Sequence, residues 1–238
     1  MSKIIIPENL DATALVEKHY ANKKIRADKK RNLIDGINYV AHTLISQSNT
    51  RKGKDRLEAK GYILLHSQIL NQIIGKNYKE VIDILETNNV IAVNNGYSSG
   101  SFSKGYTLTG KYLSSIHKEV NFISDGIKSR FYKEQDKLDK LNEAELSKTP
   151  YIIKWFNENL TIDEVGFHNF IEFYKKDLET NTSKYHSKKQ NSVVHRYNSS
   201  LSSAEKIKNR DFNLKRTGKD NRLHSSISSM KKETRSYL

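Results

Sequence analysis

Gly61-Tyr-Ile-Leu-Leu-His-Ser-Gln-Ile-Leu-Asn-Gln-Ile-Ile-Gly75, followed by Asn77-Tyr-Lys-Glu-Val-Ile-Asp-Ile-Leu-Glu-Thr-Asn-Asn-Val-Ile-Ala-Val93, is the stretch that decides how this chain folds. The run 61–65 is short and apolar, which suits a strand. Ser67 can cap a helix over residues 68–74, where Ile69, Leu70, Ile73 and Ile74 recur at helical spacing, and Gly75 can end it. Asn77 can cap a second helix with Tyr78, Val81, Ile82 and Leu85 as its apolar stripe, stopped by Asn88-Asn89. Residues 90–93 then read as a strand. Gly105-Tyr-Thr-Leu-Thr109 reads as its hairpin partner across a loop containing Gly96 and Gly100.

Upstream, Ile37, Val40, Ala41, Leu44 and Ile45 follow helical spacing over residues 33–47 and predict a buried helix, broken by the polar loop 48–54. Helix, short strand, helix, tight turn, helix and a hairpin with a glycine-rich tip is the order of a winged helix-turn-helix. Residues 8–31 read as a further helix that ends in Lys and Arg. Residues 113–146 read as a charged helix, and Phe167, Phe170, Phe173 and Tyr174 recur at helical spacing as a core stripe, with Trp155 also core. The expected organisation is a basic N-terminal helix (1–32), a winged-helix-like domain (33–113), a helical domain (114–180) and a basic C-terminal arm (181–238). The expected fold class is mainly α (α+β), a winged helix-turn-helix core with additional helices and a basic, partly disordered C-terminal arm.

Charge narrows the function. The 238 residues hold 41 Lys and Arg against 27 Asp and Glu, a formal charge of +14. Lys23, Lys24, Arg26, Lys29, Lys30 and Arg31 stand together with one acid, Asp28. Residues 181–238 hold fourteen Lys and Arg against four acids, Glu205, Asp211, Asp220 and Glu233. That last quarter is poor in apolar residues, so its composition predicts a segment that orders on a polyanion rather than alone. Nucleic acid is the partner such a balance favours, DNA ahead of RNA.

The same sequence argues against chemistry. With no Cys there are no disulfides, thiolate zinc sites or cysteine nucleophiles. Gly105-Tyr-Thr-Leu-Thr-Gly110-Lys111 approaches a phosphate-binding loop, but Tyr112 stands where a Ser or Thr must hold magnesium. The eight histidines show no zinc spacing, and no Gly-x-Ser-x-Gly elbow occurs. We therefore expect no catalytic residues, no metal and no cofactor. No apolar run approaches the roughly 18 residues of a membrane span, so no membrane partner is expected and the compartment is expected to be the cytoplasm.

One feature opposes ordinary major-groove reading. The outward positions of the helix 77–88 are Lys79, Glu80, Asp83 and Glu86, mostly acidic and repelled by phosphates. Contact is therefore expected through the wing, with Ser98, Ser99, Ser101, Ser103, Lys104 and Lys111, and through the terminal basic segments: Lys23, Lys24, Arg26, Lys29, Lys30 and Arg31 at one end, Lys188, Lys189, Arg196, Arg210, Lys215, Arg216 and Lys219 at the other. The alternatives are a winged-helix transcription regulator, or a protein-interaction subunit docking through that acidic face.

Gly100-Ser-Phe-Ser-Lys-Gly-Tyr106 and Arg222-Leu-His224 resemble segments of phage and mobile-element replication proteins of Bacteroidetes type, in which a winged-helix-like region precedes a Gly-Arg-Leu-His-like stretch. Residues 218–238 are also similar to the region just before the first palm aspartate of family-A-like polymerases. The resemblance implies that Arg222, His224 and Arg235 contact the template–primer backbone. It implies a role in phage or plasmid DNA replication in a bacterial host cell, with a replication protein as a possible partner. No metal-binding aspartate strand follows by residue 238, so the resemblance implies a non-polymerising amino-terminal part.

Overall fold

The computed structural model describes residues 4–48, 53, 60–94, 104–148, 156, 159–180, 193–212, 214–217, 222–230 and 232–238. Among them the chain is mainly helical with small antiparallel sheets, and it separates into two compact units, Lys3–Phe131 and Tyr132–Leu238. The sites at Ser98, Ser99, Ser101, Ser103, Trp155, Lys188, Lys189 and Lys219 lie outside the described residues, as does most of the 48–54 loop.

The first unit is built on a long helix. Strand β1 (Ile4–Pro7) leads into α1 (Ala12–His19), where the Asp11 carboxylate accepts the Ala14 N–H at 3.0 Å and so caps the helix. Helix α2 (Ala27–Ser48) follows after a break. The single helix expected over residues 8–31 is thus two pieces. Pro7 belongs to β1, Asp11 sets a later start, and a continuous helix would stack Lys23 one turn from Arg26. Ile37, Val40, Ala41, Leu44 and Ile45 of α2 are buried as their spacing predicts.

Strand β2 (Ile63–Leu64), helix α3 (Ser67–Ile74), helix α4 (Tyr78–Thr87), strand β3 (Ile91–Asn94) and strand β4 (Gly105–Leu108) follow in that order. The sheet order is β2-β4-β3, antiparallel throughout, with Ile63 opposite Tyr106 and Ile91 opposite Leu108. Helix α3 starts after His66 rather than after Ser67 and ends at Gly75, whose φ of 83° is the left-handed conformation glycine adopts without strain. Helix α4 buries Val81, Ile84 and Leu85. At its end Asn89 takes φ 54°, its N–H bonds the Glu86 carbonyl, and the Val90 N–H bonds the Leu85 carbonyl. These are the two bonds of a Schellman cap, and they deliver the fully buried Val90 into β3.

After the short helix α5 (Gly110–Leu113), strand β5 (His117–Val120) interrupts what the sequence suggested was one helix from residue 113. It pairs with β1 from Ile4 opposite Val120 to Pro7 opposite His117. All of β1 is buried, so its backbone needs hydrogen-bonding partners: β5 supplies those along one edge, and the Ile5 N–H donates to His42 Nδ1 of α2 at 3.1 Å. Helix α6 (Asp125–Ser147) then leaves the first unit.

In the second unit, α7 (Glu164–Thr180) packs on α8 (Val193–Lys208), followed by the hairpin β6 (Lys215–Thr217) and β7 (Arg222–His224) and the short helices α9 (Ser226–Ser229) and α10 (Lys232–Arg235). Ile207, Phe212, Leu214 and Met230 form the core, with Phe156, Leu160 and Ile227 against it. Asn142 of α6 donates to the Arg210 carbonyl and accepts the Leu214 N–H. The described part of residues 193–238 is therefore packed structure rather than the arm expected from composition. Tyr197, Leu201, Ala204 and Ile207 give α8 a buried face that a residue count does not reveal. The aromatic stripe of α7 also divides: Phe167 is buried, Phe170 and Tyr174 are half-buried, and Phe173 is 66% exposed.

Candidate nucleic-acid interface

The surface of interest lies in the first unit, where α1, the 20–26 turn and the start of α2 meet α4. Glu80, in the first turn of α4, accepts a hydrogen bond from the Tyr20 hydroxyl and forms an ion pair with Lys29 at 2.9 Å. The Lys29 ammonium also lies 5.4 Å from the centre of the Tyr20 ring. Burial alone would raise the Glu80 carboxyl, but the Tyr20 and Lys29 hydrogen bonds and the Lys29 charge hold it below its ordinary range. Bonding to Tyr20 and to Glu80 raises Lys29 in turn. Glu80, an outward carboxylate by sequence spacing, is thus committed to a neighbour and only a quarter exposed.

That changes the character of the α4 surface. Its exposed charges are Lys79 toward the amino end and Asp83 and Glu86 toward the carboxyl end, with exposed Lys76 just before the helix. The turn tied to Glu80 carries Lys23, Lys24 and Arg26, all exposed and without an ion pair among the described residues. The amino-terminal half of α4 and its neighbouring turn are cationic, and the acids lie at the far half.

The other cations named from the sequence divide by environment. Lys30 pairs with Glu17 at 2.8 Å and Arg31 with Asp28 at 2.5 Å, so both are partly neutralised. Lys104 and Lys111 are exposed beside β4, and the Lys111 ammonium lies 5.6 Å from the Tyr112 ring centre. In the second unit, Arg210 is structural: its guanidinium donates to the Phe156 carbonyl and lies 5.4 Å from the Phe212 ring centre. Arg196 lies in α8. The β6–β7 register sets Lys215 opposite His224, Arg216 opposite Leu223 and Thr217 opposite Arg222. Arg235 is exposed on α10. The fold brings Lys23, Lys24, Arg26 and Lys29 to α4, while Arg210, Arg222, His224 and Arg235 belong to the other unit.

The cationic residue that sequence reasoning missed is Lys76, and Lys79 is masked there by its acidic neighbours. The signal was within reach only as chemistry: a Tyr and a Lys bracketing a basic turn are suitable partners for a carboxylate, but nothing local says which one. Among the described residues no group of three or more His, Asp or Glu is arranged to hold a metal ion, and no helix is long and apolar enough to cross a membrane. Comparison with protein-family models, with curated proteins and with solved structures found no match.

Proposed function

We propose that this chain is a nucleic-acid-binding protein whose first unit acts as a winged helix, holding the phosphate backbone through the amino-terminal half of α4 and the 20–26 turn. The observation that carries this reading is the capture of Glu80 by Tyr20 and Lys29, which leaves Lys23, Lys24, Arg26, Lys76 and Lys79 as the exposed charges around the start of α4. Helices α2, α3 and α4 with the β2-β4-β3 sheet follow the winged helix-turn-helix order, and such folds present their third helix to DNA. The DNA contact is expected to be dominated by backbone phosphates and weak in base preference. We extend the proposal to phage or plasmid DNA replication on the carboxyl-terminal resemblance alone.

Duplex DNA binding measured from 50 to 200 mM salt tests it. Neutralising about five phosphates gives a slope of log affinity on log salt of about −4.5. Reversing Lys23, Lys24 and Arg26 to Glu removes most binding if the reading holds, and unchanged affinity overturns it. A second reading, docking of a basic protein partner, draws on Asp83 and Glu86, which are exposed on the same helix without an ion pair among the described residues. Asp83→Asn with Glu86→Gln separates the two, strengthening DNA binding on the first reading and abolishing partner capture on the second.

A further inference from the structure

The turn that carries Lys23, Lys24 and Arg26 is fastened at both ends to one side chain. Tyr20, where α1 closes, donates its hydroxyl to Glu80, and Lys29, in the first turn of α2, reaches the other carboxylate oxygen at 2.9 Å. Within the turn, the Lys23 N–H bonds the Tyr20 carbonyl at 2.9 Å, and the Lys30 N–H bonds the Arg26 carbonyl at 2.9 Å. The backbone from Lys23 to Arg26 therefore has fixed ends, but the cations between them bond nothing else among the described residues. We infer that Glu80 is a positioning residue for nucleic-acid binding: it tethers the basic turn against α4 so that Lys23, Lys24 and Arg26 meet the same phosphates as Lys76 and Lys79.

The inference rests on the nucleic-acid reading and makes a claim of its own about sign. Glu80 carries negative charge on the face that approaches phosphate, so charge alone says that removing it strengthens binding. Positioning says the reverse. Without its carboxylate the Tyr20 hydroxyl and the Lys29 ammonium lose their shared anchor, and the turn pays the entropy of ordering at the moment of binding. Asp83 is the internal comparison, since it stands three residues along the same helix, exposed and outside any such arrangement.

The test compares wild type, Glu80→Gln, Asp83→Asn and the exchange Lys29→Glu with Glu80→Lys, each binding the same duplex across a salt series. Asp83→Asn is expected to bind more tightly than wild type. Glu80→Gln is expected to bind more weakly, by about eightfold at 100 mM salt for each phosphate that is no longer neutralised. Its salt slope should flatten by up to about 2.7 if all three cations disengage. The exchanged pair restores a salt link of the same net charge and should bring the slope back, which a merely structural role for Glu80 would not require. Tyr20→Phe keeps the ring beneath Lys29 but removes the donor, and it should shift the slope in the same direction by less. Should Glu80→Gln fail to fold by circular dichroism, Tyr20→Phe and the exchanged pair decide the matter by the same readout. If Glu80→Gln binds more tightly with an unchanged slope, the positioning role is wrong and the nucleic-acid reading stands. If wild type and Asp83→Asn both ignore duplex at 50 mM salt, the nucleic-acid reading itself falls and takes the positioning role with it.

Discussion

The Asp35 carboxylate, buried on α2, accepts the backbone N–H of Ser124 at 2.6 Å across 89 residues of chain. It also accepts the Ile123 N–H at 2.9 Å, so one side chain fixes where α6 begins. Burial raises that carboxyl to about 6, the two amide donors pulling the other way. At the start of β5, buried His117 is lowered to about 4 by desolvation and by the proximity of His42. Between pH 4 and 6 the native Asp35 holds a proton that the unfolded chain releases, so its contribution to stability falls as pH rises. Over nearly the same window native His117 lacks a proton that the unfolded chain holds, so its contribution rises with pH. The two oppose each other, each by at most about 1.4 kcal/mol per pH unit.

Removing one group should expose the other. Asp35→Asn is expected to make stability climb with pH relative to wild type between 4 and 6, and His117→Gln to make it decline over the same range. Urea unfolding of each variant at half-unit pH steps measures this. Profiles parallel to wild type would show that neither burial shift exists.

A second prediction concerns how closely α2 approaches α4. A Cβ built on Gly36 would lie 2.7 Å from the Val81 Cγ2 and 3.1 Å from the Ile74 Cγ2. Gly36→Ala gains about 1 kcal/mol of helix propensity. Val81 is fully buried and stiff at χ1, however, so overpacking of about 1–3 kcal/mol should dominate. Thermal unfolding should show net destabilisation, and adding Val81→Ala should cost less in the Gly36→Ala background than in wild type.

The turn from α4 into β3 gives a third. Asn89 occupies the left-handed position of the Schellman cap. Asn89→Gly should leave stability within about 1 kcal/mol of wild type, whereas Asn89→Val should destabilise by more, because a β-branched residue is strained at positive φ. Equal unfolding midpoints for the two variants would contradict the cap.

How far the sequence could be read follows from the distance over which each determinant acts. The stripes Ile37–Val40–Leu44, Leu70–Ile73–Ile74 and Val81–Leu85 are legible because helical periodicity lies within one window, and all eight of these residues are buried. Ile69, assigned to the same stripe, is 43% exposed, since α3 buries only a narrow face. The β1–β5 pair was illegible: Ile4 meets Val120 across more than a hundred residues, and His-Lys-Glu-Val carries too little alternation to announce a strand. The Glu80 arrangement failed for the same reason. Its partners stand 60 and 51 residues away, so an outward carboxylate and a committed one look alike in sequence. In the second unit the Ser-rich helix α8 hid its packing face behind an average composition that resembles a solvated tail.

The carboxyl-terminal cations give the last prediction, because two arginines assigned the same role stand in different surroundings. Arg210 bonds the Phe156 carbonyl, lies against Phe212 and holds φ 56°, while Arg235 is exposed on α10. Arg210→Ala removes a half-buried donor and a ring contact, so it should lower stability by about 1–3 kcal/mol. Arg235→Ala should leave the unfolding midpoint unchanged. Their effects on DNA binding should be reversed. Arg235→Ala would flatten the salt slope by about 0.9 if its guanidinium neutralises a phosphate, whereas folded Arg210→Ala would keep the wild-type slope. A slope altered by Arg210→Ala alone would mean that the internal guanidinium, not the exposed one, reaches the nucleic acid, and the division of these cations by environment would be wrong.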